Sequence, residues 1–528
     1  MPRHEVQEKT EALHIPLNPP GNGSNQSNIT RSSGSSFVDA ALTTVIGLTF
    51  VFIGGVAYVK WYKKNVLDKI ELAFAGGYDP ALELATRSSK HHEVYDRGVH
   101  GLDSGFDPEV PWTQYLRRKE QDLIDRIVHG HEESHYWVLL GPKVCKGTMI
   151  FDAMAACQAE GVSMCDAHPD LEVFRLKLGK ALNFEYNEDS QTGLFQRRDP
   201  REGGPALDIE RAMNKLEKVA LRHNNRTGKP LVLIINNVHC FKNDEEGRNM
   251  ILQLQQRAEA WSAKGILTLV FSTDHFWPFY VMRKHASRMN VVSTFDLDDK
   301  EAIRAFTKMR MDARRPPLLY ANVEKIVSML GGRLSFLSKA SKSPNPVETA
   351  SQLMVIEKAW LLSQIGLIPD CDDDVMDEQK WSSCSWLLLR EFAKQRRETE
   401  REHAEKIASG EWTTETAPDV PLPVFPYVPQ WKCRQIMTRA DFLEELDRKN
   451  IIAIDVNHNV RPDSMLILHA AIEVTEEEGF DELLSSVRNR VDEIESLHRT
   501  RELTFKDVDV GDCIRLTVDK GGARLVQD

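Results

Sequence analysis

The residues best suited to chemistry lie between Gly141 and Met149, in the stretch Tyr136-Trp-Val-Leu-Leu-Gly-Pro-Lys-Val-Cys-Lys-Gly-Thr-Met-Ile150. A short apolar run, Tyr136 to Leu140, reads as a buried strand that Gly141 and Pro142 end. Lys143, Val144, Cys145, Lys146, Gly147, Thr148 and Met149 follow, and Met149 to Ala156 reads as a helix. A strand, a tight turn with lysine and hydroxyl, and then a helix N-terminus make a phosphate-binding arrangement. Backbone N–H groups and the helix dipole attract the anion, a lysine neutralises it, and the Thr148 hydroxyl is placed to hold Mg²⁺. The spacing departs from G-x-x-x-x-G-K-[ST], because Lys146 precedes Gly147 where the pattern has glycine before lysine.

A second chemical signal is Leu231-Val-Leu-Ile-Ile-Asn-Asn. An apolar strand ending in acids is how such sites orient Mg²⁺ and polarise water. Here both end positions are amides, Asn236 and Asn237. An amide has no charge for a metal and no basic oxygen for a proton, so ordinary hydrolysis is not expected. Gly265 to Asp274 contains another buried strand, with Ser272 and Thr273 at its end. His131-Glu-Glu-Ser-His135 has the H-E-x-x-H spacing of a zinc site, but no apolar helix surrounds it, which favours a charged helix-to-strand junction.

The elements that must hold these residues alternate. A helix over 112–130 leads into the first strand, with Leu116, Leu123, Ile124 and Ile127 on one face. A second strand is expected near Leu171 to Leu176. Helices are expected over 206–226, 244–262 and 277–288, and a strand over Asn290 to Phe295. An acid-capped helix starts near Asp296. Residues 297–365 read as helical, with Gly331-Gly332-Arg333 opening one helix. Asp370 to Asp377 is an acidic linker, and 380–408 reads as one helix whose charged second half extends into solvent. Beyond a proline-rich loop come a helix from Thr438 to Lys449, a strand at Ile451 to Asp455, helices near 463–475 and 480–498, and a hairpin turned at Gly521-Gly522.

Composition frames these motifs. The chain has 528 residues, 41% hydrophobic and 28% charged, with net charge −12. That length suits two or three domains, and the acidic balance disfavours a nucleic-acid groove. Eight scattered cysteines without a C-x-x-C pair indicate neither a disulfide framework nor zinc. Residues 1–36 are polar, and Ala40 to Val59 carries no charge. At ~1.5 Å per residue that run reaches across a ~30 Å hydrocarbon layer. Lys60, Lys63, Lys64 and Lys69 follow, which puts the rest of the chain on the cytosolic side. Sequons at Asn22, Asn25 and Asn28 agree with an exterior or lumenal N-terminus. The endoplasmic reticulum or endomembranes and the mitochondrial outer membrane fit equally.

The strand–helix order with two altered motifs resembles the P-loop ATPases of the AAA+ and STAND type, and most closely the origin-recognition-like modules of fungal membrane-anchored proteins. The resemblance covers about residues 110–345. It implies an α/β fold: a P-loop parallel sheet of five strands with helices on both faces, a helical lid and a C-terminal winged-helix-like module, here behind one N-terminal transmembrane helix. The divisions expected are a tail (1–36), a transmembrane helix (37–60), a neck (61–110), the NTPase core (111–296), the lid (297–368) and the winged-helix-like region (369–528). The resemblance further implies ATP or ADP with Mg at Gly141 to Met149, and adenine near Pro111, Trp112 and Arg117. It makes Ser272, Thr273 and Arg333 candidate sensors of the γ-phosphate. Arg283, Lys284 and Arg288 form either a solvated basic face or a finger toward a neighbouring subunit. Three functions stay open: a nucleotide switch with weak or absent hydrolysis, a non-binding adaptor, and an active remodelling ATPase. Its expected partners are the bilayer through 37–60 and a protein or second copy.

Overall fold

The computed structural model describes residues 35–77, 117–141, 145–186, 204–409, 425–439, 441–506, 514–519 and 522–527. The sequons, Pro111, Trp112, Pro142, Lys143 and Val144 lie outside the described residues, as does the side chain of Cys145. The chain divides into two units, 1–64 and 65–528. Helix α1 (Ser35–Leu72) belongs to both. Within Ala40–Leu72 an 18-residue stretch reaches mean hydropathy 2.0, and the helix is long and apolar enough to cross a membrane. Within the second unit, Val66, Ile70 and Phe74 are buried, and the Phe74 carbonyl accepts from Gly161 N.

After α1 the second unit continues with α2 (Gln121–Val128), shorter than its expected range, then β1 (Tyr136–Leu140) and α3 (Cys145–Ala156). β2 is Val162–Asp166, and α4 is Leu171–Ala181. This corrects the strand expected at Leu171 to Leu176. Asp170 caps α4 by accepting from Glu172 N, and Leu171, Phe174 and Leu178 are buried at helical spacing. Then come α5 (Gly204–Thr227), β3 (Leu231–Asn236), α6 (Glu245–Lys264), β4 (Leu267–Thr273), α7 (Trp277–Arg283) and β5 (Met289–Ser293). The five strands form one parallel sheet in the order β2-β3-β4-β1-β5. β1 and β4 are buried along their whole length, so their apolar runs need no alternation.

The lid is α8 (Asp299–Asp312), α9 (Tyr320–Leu330), α10 (Leu334–Lys342) and α11 (Pro346–Ile365), packed around Phe306, Ile326, Leu330 and Leu337. The long α12 (Met376–Ala408) follows. Its charged half is not all solvated: the half-buried Arg396 side chain pairs with Glu400, and Arg397 donates to Glu476 at 2.6 Å. The module beyond it holds β6 (Val428–Pro429), α13 (Gln430–Met437), α14 (Asp441–Arg448), β7 (Ile452–Ile454), β8 (Asn459–Pro462), α15 (Met465–Thr475) and α16 (Phe480–Lys506). The helix expected at Thr438 to Lys449 is α14, and a separate helix, α13, precedes it and ends at Thr438, which takes the left-handed conformation (φ 64°). β6, β8 and β7 pair antiparallel in that order, and the strands β9 (Ile514–Asp519) and β10 (Gly522–Gln527) pair antiparallel as a separate two-stranded sheet.

One apolar cluster joins the sheet to this module, running from Leu140, Phe276 and Phe279 to Trp386, Phe392, Leu446 and Ile467. At its edge a buried carboxyl, Asp447 of α14, accepts from Phe276 N at 2.7 Å. Burial pushes Asp447 up to about 8, with Asp463, Glu444 and Asp274 adding to the rise and the Phe276 hydrogen bond opposing it.

Two outcomes follow from this packing. Asp170→Ala should cost about 1 kcal/mol in denaturant unfolding of the detergent-solubilised chain, through loss of the α4 cap. Asp447 holds its proton more tightly folded than unfolded, where a carboxyl titrates near ~4. Its contribution to stability is therefore full below about pH 4 and is lost as the pH rises through about 8. Asp447→Asn should flatten that fall in a melting-temperature profile between about pH 4 and 8. A profile as steep as that of the unsubstituted chain would assign the slope to other groups.

Candidate functional site

The carboxyl ends of β1, β4 and β3 converge where α3 begins. Gly141 follows β1, and a Cβ there would overlap the hydroxyl and carbonyl of Thr294 just beyond β5. Thr294 N donates to the Leu140 carbonyl at 2.8 Å, and Gly141 N to the Thr273 carbonyl at 3.4 Å. The turn is thus tied on both sides to neighbouring strand ends. A Cβ added at Gly147 would meet no described atom within 4 Å beyond its chain neighbours and its own helix backbone, so that end is open among the described residues.

Lys146 stands in the first turn of α3 with its side chain 3% exposed. Its ammonium donates to the Gly141 carbonyl and to Asp274 Oδ1, the latter at 2.5 Å. Asp274 directly follows β4 and is 9% exposed. Burial alone would raise its pKa. Lys146, His239 and His275 outweigh that and hold it below the usual carboxylate range. Asp274 N donates to His239 Nδ1 at 3.1 Å, and His239 Nε2 stands 3.6 Å from Asp274 Oδ2. An Nδ1 that accepts leaves the proton on Nε2, facing the carboxylate.

The amides at the end of β3 have separate tasks. Asn236 Nδ2 donates to Asp166 Oδ1 at 2.9 Å, which ties β3 to β2. Asn237 takes the left-handed conformation (φ 56°) that opens the short turn Val238–Cys240.

Ser272 is level with Leu139, whose side chain packs with Met149 and Ile150 of α3, so the Ser272 hydroxyl lies on the α3 side of the sheet. It is buried without a hydrogen-bond partner. The Thr273 hydroxyl instead donates to the His275 carbonyl at 2.8 Å. Thr148 is half-buried, and Met149 is buried with its carbonyl accepting from Gln121 Nε2 at 3.1 Å.

Arg333 opens α10 and is buried. It donates to Asp463 Oδ2 at 2.6 Å and to the Asp463 carbonyl, and it lies 3.4 Å from Asp296. Burial disfavours its charge, but the two carboxylates more than restore it. Its counter-ions are therefore supplied from within the chain. Arg461 stacks between Phe295 and Phe425, at 5.2 and 5.1 Å. Arg117 binds Asp122 and Asp125 of α2, while Arg118 is buried with Nη1 unpartnered. Arg283 pairs with His458 of the C-terminal module, Lys284 lies over Tyr280, and Arg288 lies outside α7, donating to the Ser134 carbonyl at 3.4 Å. Residues 131–135 form an irregular junction, and no metal-holding group of three or more His, Cys, Asp or Glu occurs among the described residues.

The site therefore brings Gly141, Lys146 and Thr273 together, with the Ser272 hydroxyl on the α3 side of the sheet, and commits Arg333 and Asn236 to internal partners. Asp274, His239 and His275 are the participants that the sequence motifs passed over. Their one signal was position, just past the ends of β3 and β4. The donor set suits a phosphate: a buried ammonium, an orphaned hydroxyl and a helix N-terminus. It suits a bare divalent cation poorly, since the strand-end acid is an amide and Asp274 is paired with Lys146.

Among solved structures, the chain is similar to the Walker-type ATPase of Pyrococcus abyssi, at 11% identity and TM-score 0.42 over 67% of this chain and 95% of that one. It is also similar to the ORC2 protein of Aeropyrum pernix in ADPNP–ADP complexes, at 13% identity and TM-score 0.31 over 75% and 98%. A third is Cdc6p of Pyrobaculum aerophilum, at 11% identity and TM-score 0.27 over 72% and 95%. No curated protein matches the chain by sequence. Residues 362–495 match the family model described as the fungal AAA protein C-terminal winged helix domain. Residues 362–495 are thus similar to the winged helix of fungal AAA proteins, and they follow a five-stranded parallel sheet and a group of packed helices.

Proposed function

We propose that this is a membrane-anchored nucleotide-binding protein in which ATP or ADP acts as a conformational switch for partner contacts, with hydrolysis weak or absent. The observation that carries the reading is Lys146, a buried ammonium in the first turn of α3 where β1, β4 and β5 end. The nucleotide phosphates would lie against Lys146, Gly147 and the α3 N-terminus, with the Ser272 hydroxyl donating to them. Magnesium would arrive with the nucleotide, the Thr148 hydroxyl joining its shell, and would neutralise phosphate charge. Asn236 and Asn237 support slow turnover: neither can polarise an attacking water, and the Asn236 amide is engaged by Asp166. The apolar part of α1 would anchor the chain, with Lys60, Lys63 and Lys64 on the cytosolic face. Partners would be a protein or a second copy of the chain.

A non-binding adaptor is the second reading. It is favoured by the internal carboxylates that already satisfy Lys146 and Arg333.

Calorimetric titration of the detergent-solubilised chain with Mg-ATP and Mg-ADP separates the two. Binding near ~1 μM, about −8 kcal/mol, is expected. It should vanish in Lys146→Ala combined with Asp274→Asn, a pair that leaves no buried charge unmatched. Phosphate release should stay at the buffer rate. Turnover of about 1 per second or faster would make the chain an active ATPase, and no binding at millimolar nucleotide would leave the adaptor.

A further inference from the structure

Asp274, His275 and Phe276 face two places at once. Asp274 pairs with Lys146 at 2.5 Å. The next residue, His275, reaches α14 through Nδ1, 2.9 Å from the Asp447 carbonyl. A carbonyl only accepts, so that nitrogen carries the proton. Then Phe276 N donates to the Asp447 carboxyl at 2.7 Å. His239 and His275 meet edge to face at 4.8 Å and pack the turn from the side. Three consecutive residues therefore bond the phosphate-site lysine, the α14 backbone and an α14 side chain.

We propose that Asp274 is an internal counter-ion which a ligand phosphate must displace from Lys146, and that its displacement loosens the hold of the Asp274–Phe276 turn on α14. The inference rests on the phosphate reading of the Lys146 site. A buried ammonium keeps a counter-charge at all times, so a phosphate reaches full contact only as the carboxylate leaves. Both anions together on one lysine would repel in a medium of low dielectric. Asp274 is only one residue from His275 and two from Phe276, so a shift of its backbone strains the two bonds to Asp447. The coupling is reciprocal: whatever draws α14 away from the turn also frees Lys146 for phosphate. In this way the winged-helix module sets the affinity of a site that it does not itself line.

The test uses the full-length chain in detergent micelles, with Mg-ADP as the probe. Asp274→Asn removes the competing charge at nearly constant shape. It should bind Mg-ADP at least about tenfold more tightly than the unsubstituted chain, ~1.4 kcal/mol. In the unsubstituted chain, saturating Mg-ADP should speed hydrogen exchange at the Phe276 amide and across 441–448. That readout needs no variant and stands if Asp274→Asn folds poorly. Asp274→Glu, which keeps the charge, should bind as the unsubstituted chain does. If the unsubstituted chain binds Mg-ADP and Asp274→Asn binds no more tightly, the counter-ion proposal falls and the nucleotide reading survives. If exchange in 441–448 is unchanged or slowed by Mg-ADP, the coupling falls. If neither form binds at millimolar Mg-ADP, the nucleotide reading fails and takes the proposal with it.

Discussion

A lysine removed from water must keep a negative partner, and the arrangement around Lys146 answers that demand. Leaving one member of such a pair buried alone costs on the order of 3–5 kcal/mol. Here the partner is Asp274, placed by the end of β4. The same demand recurs at Arg333, where Asp296 approaches from beyond β5 and Asp463 from beyond β8. Both cations that could greet a phosphate are thereby neutralised from within the chain. Any anion that enters has to offer at least as much charge and as many acceptor atoms as the carboxylate it replaces.

These pairs also bind the parts of the second unit to one another. Arg333 belongs to the lid, Asp296 to the exit from the sheet and Asp463 to the C-terminal module, so one guanidinium ties its own element to two others. The Gly332 carbonyl accepts from Leu297 N at 3.1 Å beside it, and a Cβ on Gly332 would overlap the Leu297 backbone. Asp447 plays a matching part between sheet and module, accepting from the turn after β4. Because apolar burial between sheet and module is non-directional, the charged and hydrogen-bonded contacts are what fix their register.

What the sequence disclosed follows from how local each signal was. β1, β3 and β4 were legible as apolar runs because they are buried on both faces. β2 was not: Val162-Ser-Met-Cys-Asp166 is short and mixed, and the more apolar Leu171 to Leu176 drew the strand assignment. The cap at Asp170 and the spacing of Leu171, Phe174 and Leu178 were the better evidence. The Gly-Gly-Arg signal placed Arg333 at a helix start correctly, but its carboxylate partner Asp463 lies 130 residues further along the chain. Asp274 was passed over for the same reason: its meaning depends on a lysine 128 residues earlier. Fold class rests on patterns within a few residues, whereas charge pairing rests on distant ones.

The two asparagines and the lysine pair can be understood together. In a site of this kind an acid at the end of the β3 strand would supply negative charge beside the phosphate lysine. With Asn236 there, that charge is missing, and the amide instead ties two strand ends by a neutral hydrogen bond to Asp166. Lys146 is still buried, so the balance has to be met from elsewhere, and the nearest strand end provides it through Asp274. The consequence is chemical. A carboxylate on β3 could stay beside the lysine and hold a metal while nucleotide is present. The one on β4 contacts the ammonium directly and shares the place of the anion. On the proposed nucleotide reading, an acid on β4 in contact with the ammonium competes with phosphate, whereas an acid at the end of β3 would stand beside metal and nucleotide together.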